Sequence, residues 1–170
     1  MTALTDSGLR RLLEEALAYL KTHLNAERLL FLHGWDGQGF PTKAGLGMDP
    51  GDLSGVSLSL FERVMRSGTP LLSADAQADP GLGDANSLLL SGIRSVLCVP
   101  LRQDGRVVGL LYADHRGRTG CFSHTDLIRV TGFARDLERR MAGATLPPWG
   151  TVEAPPAPPR TLRKKPAPQA

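Results

Sequence analysis

Apolar residues recur at spacings of three and four near both ends of the chain, and this spacing is typical of amphipathic helices. Near the start, one such seam consists of Leu9, Leu13, Ala16, Leu20 and Leu24. Near the end, a second seam consists of Leu127, Val130, Ala134, Leu137 and Met141. Ser123 and Asp126 precede the second seam at the spacing of a capping box, so a helix should begin there. The sequence therefore predicts a helix at each end of one folded unit.

Between these helices, short aliphatic stretches predict β-strands and leave room for one further helix. Strands are expected over residues 26–33, 40–46 and 69–73. The intervening helix should begin at a capping box of Ser59 and Glu62 and end at Gly68. Residues 74–91 are polar apart from a small apolar turn at 88–90. Strands in consecutive hairpins between terminal helices indicate an α+β fold with an antiparallel sheet.

The most apolar stretch, GIRSVLCVPLRQDGRVVGLLYADHR over residues 92–116, predicts a central hairpin. Its Asp-Gly pair at 104–105 tolerates the positive φ values of a type I′ turn. A two-residue turn would place residues whose numbers sum to 209 opposite one another. Both faces of the hairpin would then be apolar, as in a strand pair at the centre of a sheet that is covered on both sides. In that register the small residues of one face are Cys98, Gly109 and Ala113. Such a face leaves room for either a closely packed helix or a ligand.

Length and composition limit the classes of protein to which the chain can belong. The 170 residues suffice for about one domain. No apolar run approaches the roughly 20 residues of a membrane span, and the first residues lack the pattern of a signal peptide, so we expect a cytoplasmic protein. Cys98 and Cys121 make neither a disulfide framework nor a Cys-x-x-Cys metal site.

Positive charge and proline are concentrated at the end of the chain. Residues 143–170 hold four basic residues, one acidic residue and eight of the 13 prolines, whereas residues 1–142 hold 16 charges of each sign. We therefore expect residues 1–142 to form the domain and residues 143–170 to be a disordered, Pro-rich basic tail. This tail is either a solubilising extension or a recognition segment for a partner protein. The neutral body argues against nucleic-acid binding by the domain.

Several motifs taken together resemble those of the GAF domain family. They are Gly68-x-Pro70-Leu-Leu, Asp75-Ala76 with Asp79-Pro80, Gly92-Ile-Arg-Ser-Val-Leu-Cys-Val-Pro-Leu101, Gly105-Arg-Val-Val-Gly-Leu-Leu-Tyr-Ala-Asp114 and Phe122-Ser-x-x-Asp126-Leu. The match spans roughly residues 6–142 and most resembles GAF domains of bacterial FHA-domain regulators and serine/threonine kinase systems. It implies a central antiparallel sheet of about five to six strands flanked by helices, with the terminal helices packed on one face. It also implies a sensory or regulatory module, often a homodimer.

The resemblance does not fix a ligand. Members of the family that bind cyclic nucleotides carry an Asn-Lys pair and then Phe-x-x-x-Asp-Glu. In this chain Phe122 and Asp126 have the spacing of the second motif, but Leu127 stands in place of its Glu, and no Asn-Lys pair precedes them. Members that attach bilins carry a Cys-His pair, which Cys98 and Cys121 lack. The cofactor therefore remains unknown, and the sequence argues against both of these groups.

A metal or haem would need converging ligands. His33 and His115 could meet at the ends of two strands with Asp36 or Asp114, a plausible set of donors. Isolated histidines at strand ends are usually surface residues, so we expect neither a metal nor haem.

Motifs of catalysis are also missing from the sequence. It contains no Gly-x-Ser-x-Gly, no phosphate-binding loop with lysine and no His-Glu-x-x-His. Free methionine sulfoxide reductases of the resembling fold need several positioned cysteines. The contexts of Cys98 and Cys121 do not match theirs, and we expect no enzymatic activity.

Two hypotheses of function follow. In the first, a non-catalytic sensory module binds a small molecule between the hairpin and the polar segment that begins at Asp75. Its pocket would be lined by Asp75, Arg94, Ser95, Val96, Cys98 and Asp114. Alternatively, residues 88–90 and the helix after Ser59 fill this face and leave no pocket.

In the second hypothesis, the chain is a ligand-free dimeric adaptor whose tail recognises a signalling partner. Either function would use a homodimer built on the terminal helices. The interface would contain Leu9, Leu13, Leu20, Leu127, Val130, Leu137 and Met141.

Overall fold

The computed structural model describes residues 6–82, 85–143 and 149. In chain order the elements are α1 (Asp6–His23), β1 (Arg28–His33), β2 (Thr42–Leu46), α2 (Leu58–Ser67), β3 (Leu71–Ser73), α3 (Ala85–Ser91), β4 (Ser95–Gln103), β5 (Arg106–His115) and α4 (His124–Met141). The described strands form one antiparallel sheet of five strands in the order β2-β1-β5-β4-β3. The predicted α+β fold with an antiparallel sheet is confirmed.

The central hairpin has the predicted turn but a different register. Asp104 and Gly105 have φ values of 49° and 77°, as a type I′ turn requires. A β-bulge between Leu101 and Arg102 then shifts the pairing, so that Cys98 lies opposite Tyr112. Because a shift of one residue moves side chains to the other face, the predicted face of small residues does not form.

Helices α1 and α4 cover one face of the sheet, as the sequence predicts. The capping box that begins α4 is present, with Ser123 N donating to Asp126 Oδ2 at 2.7 Å. Burying each leucine of this layer contributes roughly 1.5–3 kcal/mol, so the helix pair supplies much of the stability of the domain. The buried side chains of the layer include Leu13, Leu17 and Leu20 from α1, Val130, Phe133, Leu137 and Met141 from α4, and Phe31, Leu97, Val99, Leu101 and Leu111 from the sheet.

Helices α2 and α3 cover the opposite face. Helix α2 ends at Gly68, with φ of 63°, as predicted, but Ser57 occupies its N-cap position. Ser59 therefore lies inside the helix, and the predicted capping box of Ser59 and Glu62 is wrong. The expected turn at 88–90 belongs to helix α3, which buries Leu88 and leaves Leu90 90% exposed.

The described part of the chain ends shortly after α4. Gly143 and Trp149 are the described residues of the predicted tail, and the rest of that prediction lies outside the described residues. Trp149 contacts the terminal helices. None of the helices in the described ranges combines the length and the apolar character that a membrane span requires.

Candidate functional site

The sheet face beneath α2 and α3 holds two of the predicted pocket residues. Val96 and Cys98 are completely buried there, and Cys98 pairs with Tyr112. Burial raises the pKa of the Cys98 thiol, so the thiol stays protonated and is a poor nucleophile. The apolar side chains that pack on this face include Leu60, Phe61, Val64, Leu88, Ile93, Leu30, Leu32 and Leu110. The face is thus packed with side chains of α2 and with Leu88 of α3, whereas Leu89 and Leu90, which the alternative interpretation also placed here, are exposed.

Asp114 lies on the same face but belongs to a buried ion pair. Arg28 Nε donates to Asp114 Oδ1 at 2.8 Å, and Arg28 Nη2 donates to Asp114 Oδ2 at 2.5 Å and to the carbonyl of Gly55 at 2.8 Å. Tyr112 also donates its hydroxyl to Asp114. Burial opposes the charge on Arg28, but the hydrogen bonds and the charge of Asp114 outweigh it and raise the pKa of Arg28.

These contacts give Asp114 a structural role. Its carboxylate ties β5 to β1 and, through Arg28, to the loop before α2. Both carboxylate oxygens of Asp114 accept hydrogen bonds from side chains of the chain itself, so its placement in a ligand pocket is corrected.

Ser95 faces the opposite side of the sheet from Val96 and Cys98, because neighbouring residues of a strand alternate between faces. Its hydroxyl lies 3.1 Å from the carbonyl oxygen of Ala74 and 2.8 Å from that of Arg118, and it accepts a hydrogen bond from Cys121 N at 3.2 Å. The residue therefore holds the loop after β5 in place. Its assignment to the pocket is corrected.

Asp75 and Arg94 come together beside the short edge strand β3. Arg94 Nη2 lies 3.2 Å from Asp75 Oδ2, and Arg94 Nη1 donates to Gln77 Oε1 at 3.4 Å. Ser73 ends β3 two residues before Asp75 and is 3% exposed. We call Ser73, Asp75, Gln77 and Arg94 the polar cluster. Sequence reasoning missed both Ser73, the last residue of the predicted edge strand, and Gln77, in the polar segment that follows it.

Three buried atoms of the polar cluster have no hydrogen-bond partner among the described residues: Ser73 Oγ, Asp75 Oδ1 and Arg94 Nε. The side chains of Arg94 and Asp75 are 39% and 34% exposed, so solvent reaches the rest of the pair. The cluster offers a carboxylate oxygen and a guanidinium N–H on two paired side chains, and a hydroxyl two residues before Asp75 in the chain. This arrangement suits a small polar molecule that carries both hydrogen-bond donors and acceptors.

The possible metal ligands do not converge in the structure. Asp114 is bound to Arg28, Asp36 Oδ1 accepts hydrogen bonds from Gln38 N and Gly39 N, and His115 Nδ1 lies 3.6 Å from Glu27 Oε2. Burial lowers the pKa of His33. In the described ranges, no group of three or more His, Cys, Asp or Glu side chains is placed to hold a metal ion.

A cleft of about 280 Å³ lies between α4 and the edge of β4 beyond the end of β3. Arg102 N donates to Glu138 Oε1 at 2.6 Å, and the Arg102 guanidinium donates to the carbonyl of Gly68 at 2.7 Å. Burial raises the pKa of Glu138, although these contacts with Arg102 oppose the rise. Pro100 on the same edge has no N–H to offer. These features protect the strand edge from pairing with another chain, and sequence reasoning missed them.

The predicted dimer interface is mostly buried within the single chain. Five of its seven residues, Leu13, Leu20, Val130, Leu137 and Met141, are at most 7% exposed. The seam of each terminal helix packs on the sheet, so the assignment of these five residues to an interface is corrected. Leu9 and Leu127 are half-buried at the edge of the same core. The homodimer itself stays a prediction.

Comparison with known protein families matches residues 8–141 to the GAF domain. Among curated proteins, none matches the chain. One similar solved structure is the GAF domain/HD domain protein from Geobacter sulfurreducens, at 16% identity and a TM-score of 0.61, with 83% of this chain and 97% of that chain covered. Another is a methyl-accepting chemotaxis protein, at 16% identity and a TM-score of 0.61, with 79% of this chain and 89% of that chain covered.

A third similar structure corrects one expectation. It is the free methionine-R-sulfoxide reductase from Neisseria meningitidis in complex with its substrate, at 24% identity and a TM-score of 0.60, covering 79% of this chain and 78% of that chain. The fold is therefore shared with enzymes as well as with signalling proteins. The expectation from the sequence that this chain has no enzymatic activity is contradicted by this similarity.

Proposed function

The chain belongs to the GAF domain family, and on this premise we propose that it is a sensory or regulatory module of signal transduction. It binds a small polar molecule at the polar cluster and passes the signal through a homodimer built on the outer sides of α1 and α4. We further propose that it works in the cytoplasm beside FHA-domain or serine/threonine kinase regulators, with its C-terminal segment as the recognition site for a signalling partner.

The polar cluster is the observation that carries the proposal. A buried polar group without a hydrogen bond costs roughly 1–3 kcal/mol, so native proteins rarely leave several such groups together. Asp75 Oδ1 and Arg94 Nε are two such groups on side chains that pair with each other, and Ser73 Oγ is a third, two residues before Asp75 in the chain. A molecule that donates to Asp75 and accepts from Arg94 would remove this cost.

The sheet supplies a physical connection between the cluster and the terminal helices. Ser73 pairs with Val96 at the start of β4. The next residue of that strand, Leu97, faces the other way and packs in the core beneath α1 and α4. A change in the position of the first residues of β4 would therefore reach the helix pair through direct packing.

The ligand-free adaptor is the second candidate. The dense apolar packing beneath α2 and α3 favours it, since that face holds Phe61 and Leu88 where a pocket was expected. In this case the homodimer and the C-terminal segment alone would recruit the partner.

The experiment is thermal unfolding of the full chain in the presence of the small-molecule fraction of its own cells. We expect an increase in Tm of about 3–6 °C at a ligand concentration roughly ten times Kd. Arg94→Met should abolish the increase, because it removes the guanidinium of the polar cluster. Arg106→Met, at an exposed position of the hairpin, is the matched control and should keep it. An increase that is the same in Arg94→Met and the wild type would reject this site.

A further inference from the structure

The cleft between α4 and β4 exists because β3 is too short to cover the edge of its neighbour. Strand β3 pairs with residues 96–98, whereas β4 continues to Gln103. The cleft is lined by Gly68 and Pro70, which lead from α2 into β3, and by residues of β4 and α4. Its volume of about 280 Å³ equals that of roughly nine water molecules at about 30 Å³ each. A compact organic molecule of that size would fit.

The buried residues that line the cleft are apolar. Val99 and Ala134 are 1% and 2% exposed, and Pro100 is also buried. Pro70 is half-buried and adds a further apolar ring. An organic group that lies against these side chains would be removed from water, which favours binding. The cleft therefore suits a ligand with an apolar body.

The charged residues of the cleft carry an excess of positive charge. Arg102 and Arg135 line it together with one acid, Glu138. The Arg102 guanidinium donates to the carbonyls of Gly68 and Gly105, at 2.7 and 3.3 Å, and neither carbonyl neutralises its charge. The Arg135 guanidinium is exposed, and it makes no hydrogen bond or ion pair with the other described residues. A free guanidinium can hold an anion through two parallel hydrogen bonds.

Glu138 limits which anions the cleft can accept. Its Oε1 accepts the hydrogen bond from Arg102 N at 2.6 Å, which fixes the carboxylate in the cleft. Because this negative charge offsets one of the two guanidinium charges, a monoanion balances the remainder, whereas a dianion such as phosphate would be repelled by Glu138 more strongly. The planar guanidinium of Arg135 matches the geometry of a carboxylate. A monocarboxylate is therefore the anion that fits best.

We propose that the cleft binds a small carboxylic acid with an apolar body. The carboxylate of the acid pairs with the Arg135 guanidinium, and the apolar body lies against Val99, Pro100 and Ala134. The site is distinct from the polar cluster, because the cleft opens before the first residue of β3, whereas Ser73 is the last residue of that strand. Binding at the cleft therefore does not depend on the ligand of the proposed function.

The first test is a titration of the full chain at pH 7, followed through its backbone amide signals by two-dimensional NMR. The probes are benzoate, phenylacetate and hexanoate, each compared with its own uncharged amide. We expect at least one acid to shift the signals of Gly68, Thr131 and Ala134 in a saturable manner, and its amide to bind at least about tenfold more weakly. No saturable shift with any of the three acids, or equal binding of acid and amide, would overturn the proposal. Shifts that centre on Asp75 and Arg94 would overturn it as well.

The second test changes the charges of the cleft and uses the acid that binds most tightly. Arg135→Met should raise the Kd of this acid at least about tenfold, because it removes the guanidinium that pairs with the carboxylate. Arg129→Met, at an exposed position of α4 outside the cleft, is the matched control and should keep the Kd. Glu138→Gln removes the opposing negative charge but keeps an oxygen for Arg102 N, so it should lower the Kd on the order of threefold. Equal Kd values in Arg135→Met and Arg129→Met, or a Kd that Glu138→Gln does not lower, would overturn the proposal.

Discussion

Replacing Asp114 by asparagine is expected to destabilise the protein by about 3–5 kcal/mol, because it leaves the buried guanidinium of Arg28 without its counter-charge. The side chains of Arg28 and Asp114 are 4% and 0% exposed, so water cannot take the place of the lost carboxylate. Asparagine keeps the shape of the side chain, and the loss therefore reports the charge rather than a cavity. Urea denaturation at pH 7, followed by circular dichroism, measures the free energy of unfolding.

The surface pair of Glu27 and Arg116 provides the matched control. Their side chains are 31% and 50% exposed, and Arg116 Nε donates to Glu27 at 2.8 Å. Glu27→Gln should therefore cost less than about 1 kcal/mol, as is usual for exposed pairs. Equal losses in Glu27→Gln and Asp114→Asn would contradict the structural role of Asp114.

A triple variant tests whether the loss of stability in Asp114→Asn comes from the unpaired charge of Arg28. The combination of Arg28→Met, Asp114→Leu and Tyr112→Phe removes both charges and the hydroxyl that donates to Asp114. Well-packed apolar residues in place of a buried ion pair are often neutral for stability. This variant should therefore regain most of the stability that Asp114→Asn loses.

Replacing Leu137 by alanine is expected to cost about 2–5 kcal/mol, because it opens a cavity between α4 and the sheet. Leu137 is completely buried in the single chain and packs in the core with residues of α1. The expected result is a folded protein with a lower midpoint in urea and an unchanged tendency to self-associate. The midpoint is measured by denaturation and the mass by sedimentation.

Ile128 on the same helix is the matched control for Leu137. It is 57% exposed, so Ile128→Ala should change the free energy of unfolding by less than about 0.5 kcal/mol. If Leu137→Ala kept its stability but changed the protein from dimer to monomer, Leu137 would belong to an interface between chains, and its assignment to the core of the single chain would be wrong.

Local signals predicted much of the fold. The three-four spacing of the terminal helices, the capping box at Ser123 and the Asp-Gly turn each depend on neighbours within a few residues, and the structure has all three. The register of the hairpin could not be predicted in the same way. The bulge after Leu101 is one extra residue, and its position depends on the packing of both faces of the sheet. Because of this bulge, Cys98 lies opposite Tyr112 and not opposite Leu111, as the predicted register would have it.

The candidate site was predicted only in part, because its contacts are distant in sequence. Asp75 and Arg94 were expected to lie together, and the structure places them together. The ion pair of Asp114 was missed, since its partner Arg28 is 86 residues away. The signal was nevertheless present: Arg28 is a charged residue within the apolar run AERLLFLH. A charge in a buried strand requires a partner, and Asp114 in the neighbouring strand was available.

Native mass spectrometry of the full chain, purified from its own cells, tests the central claim most directly. Spectra would be recorded at low activation energy and again under denaturing conditions. We predict a complex of the chain with a small molecule that denaturation releases, and its absence from Arg94→Met purified in parallel. Chains that carry only the mass of their sequence in both spectra would contradict the assignment of the polar cluster as a ligand site.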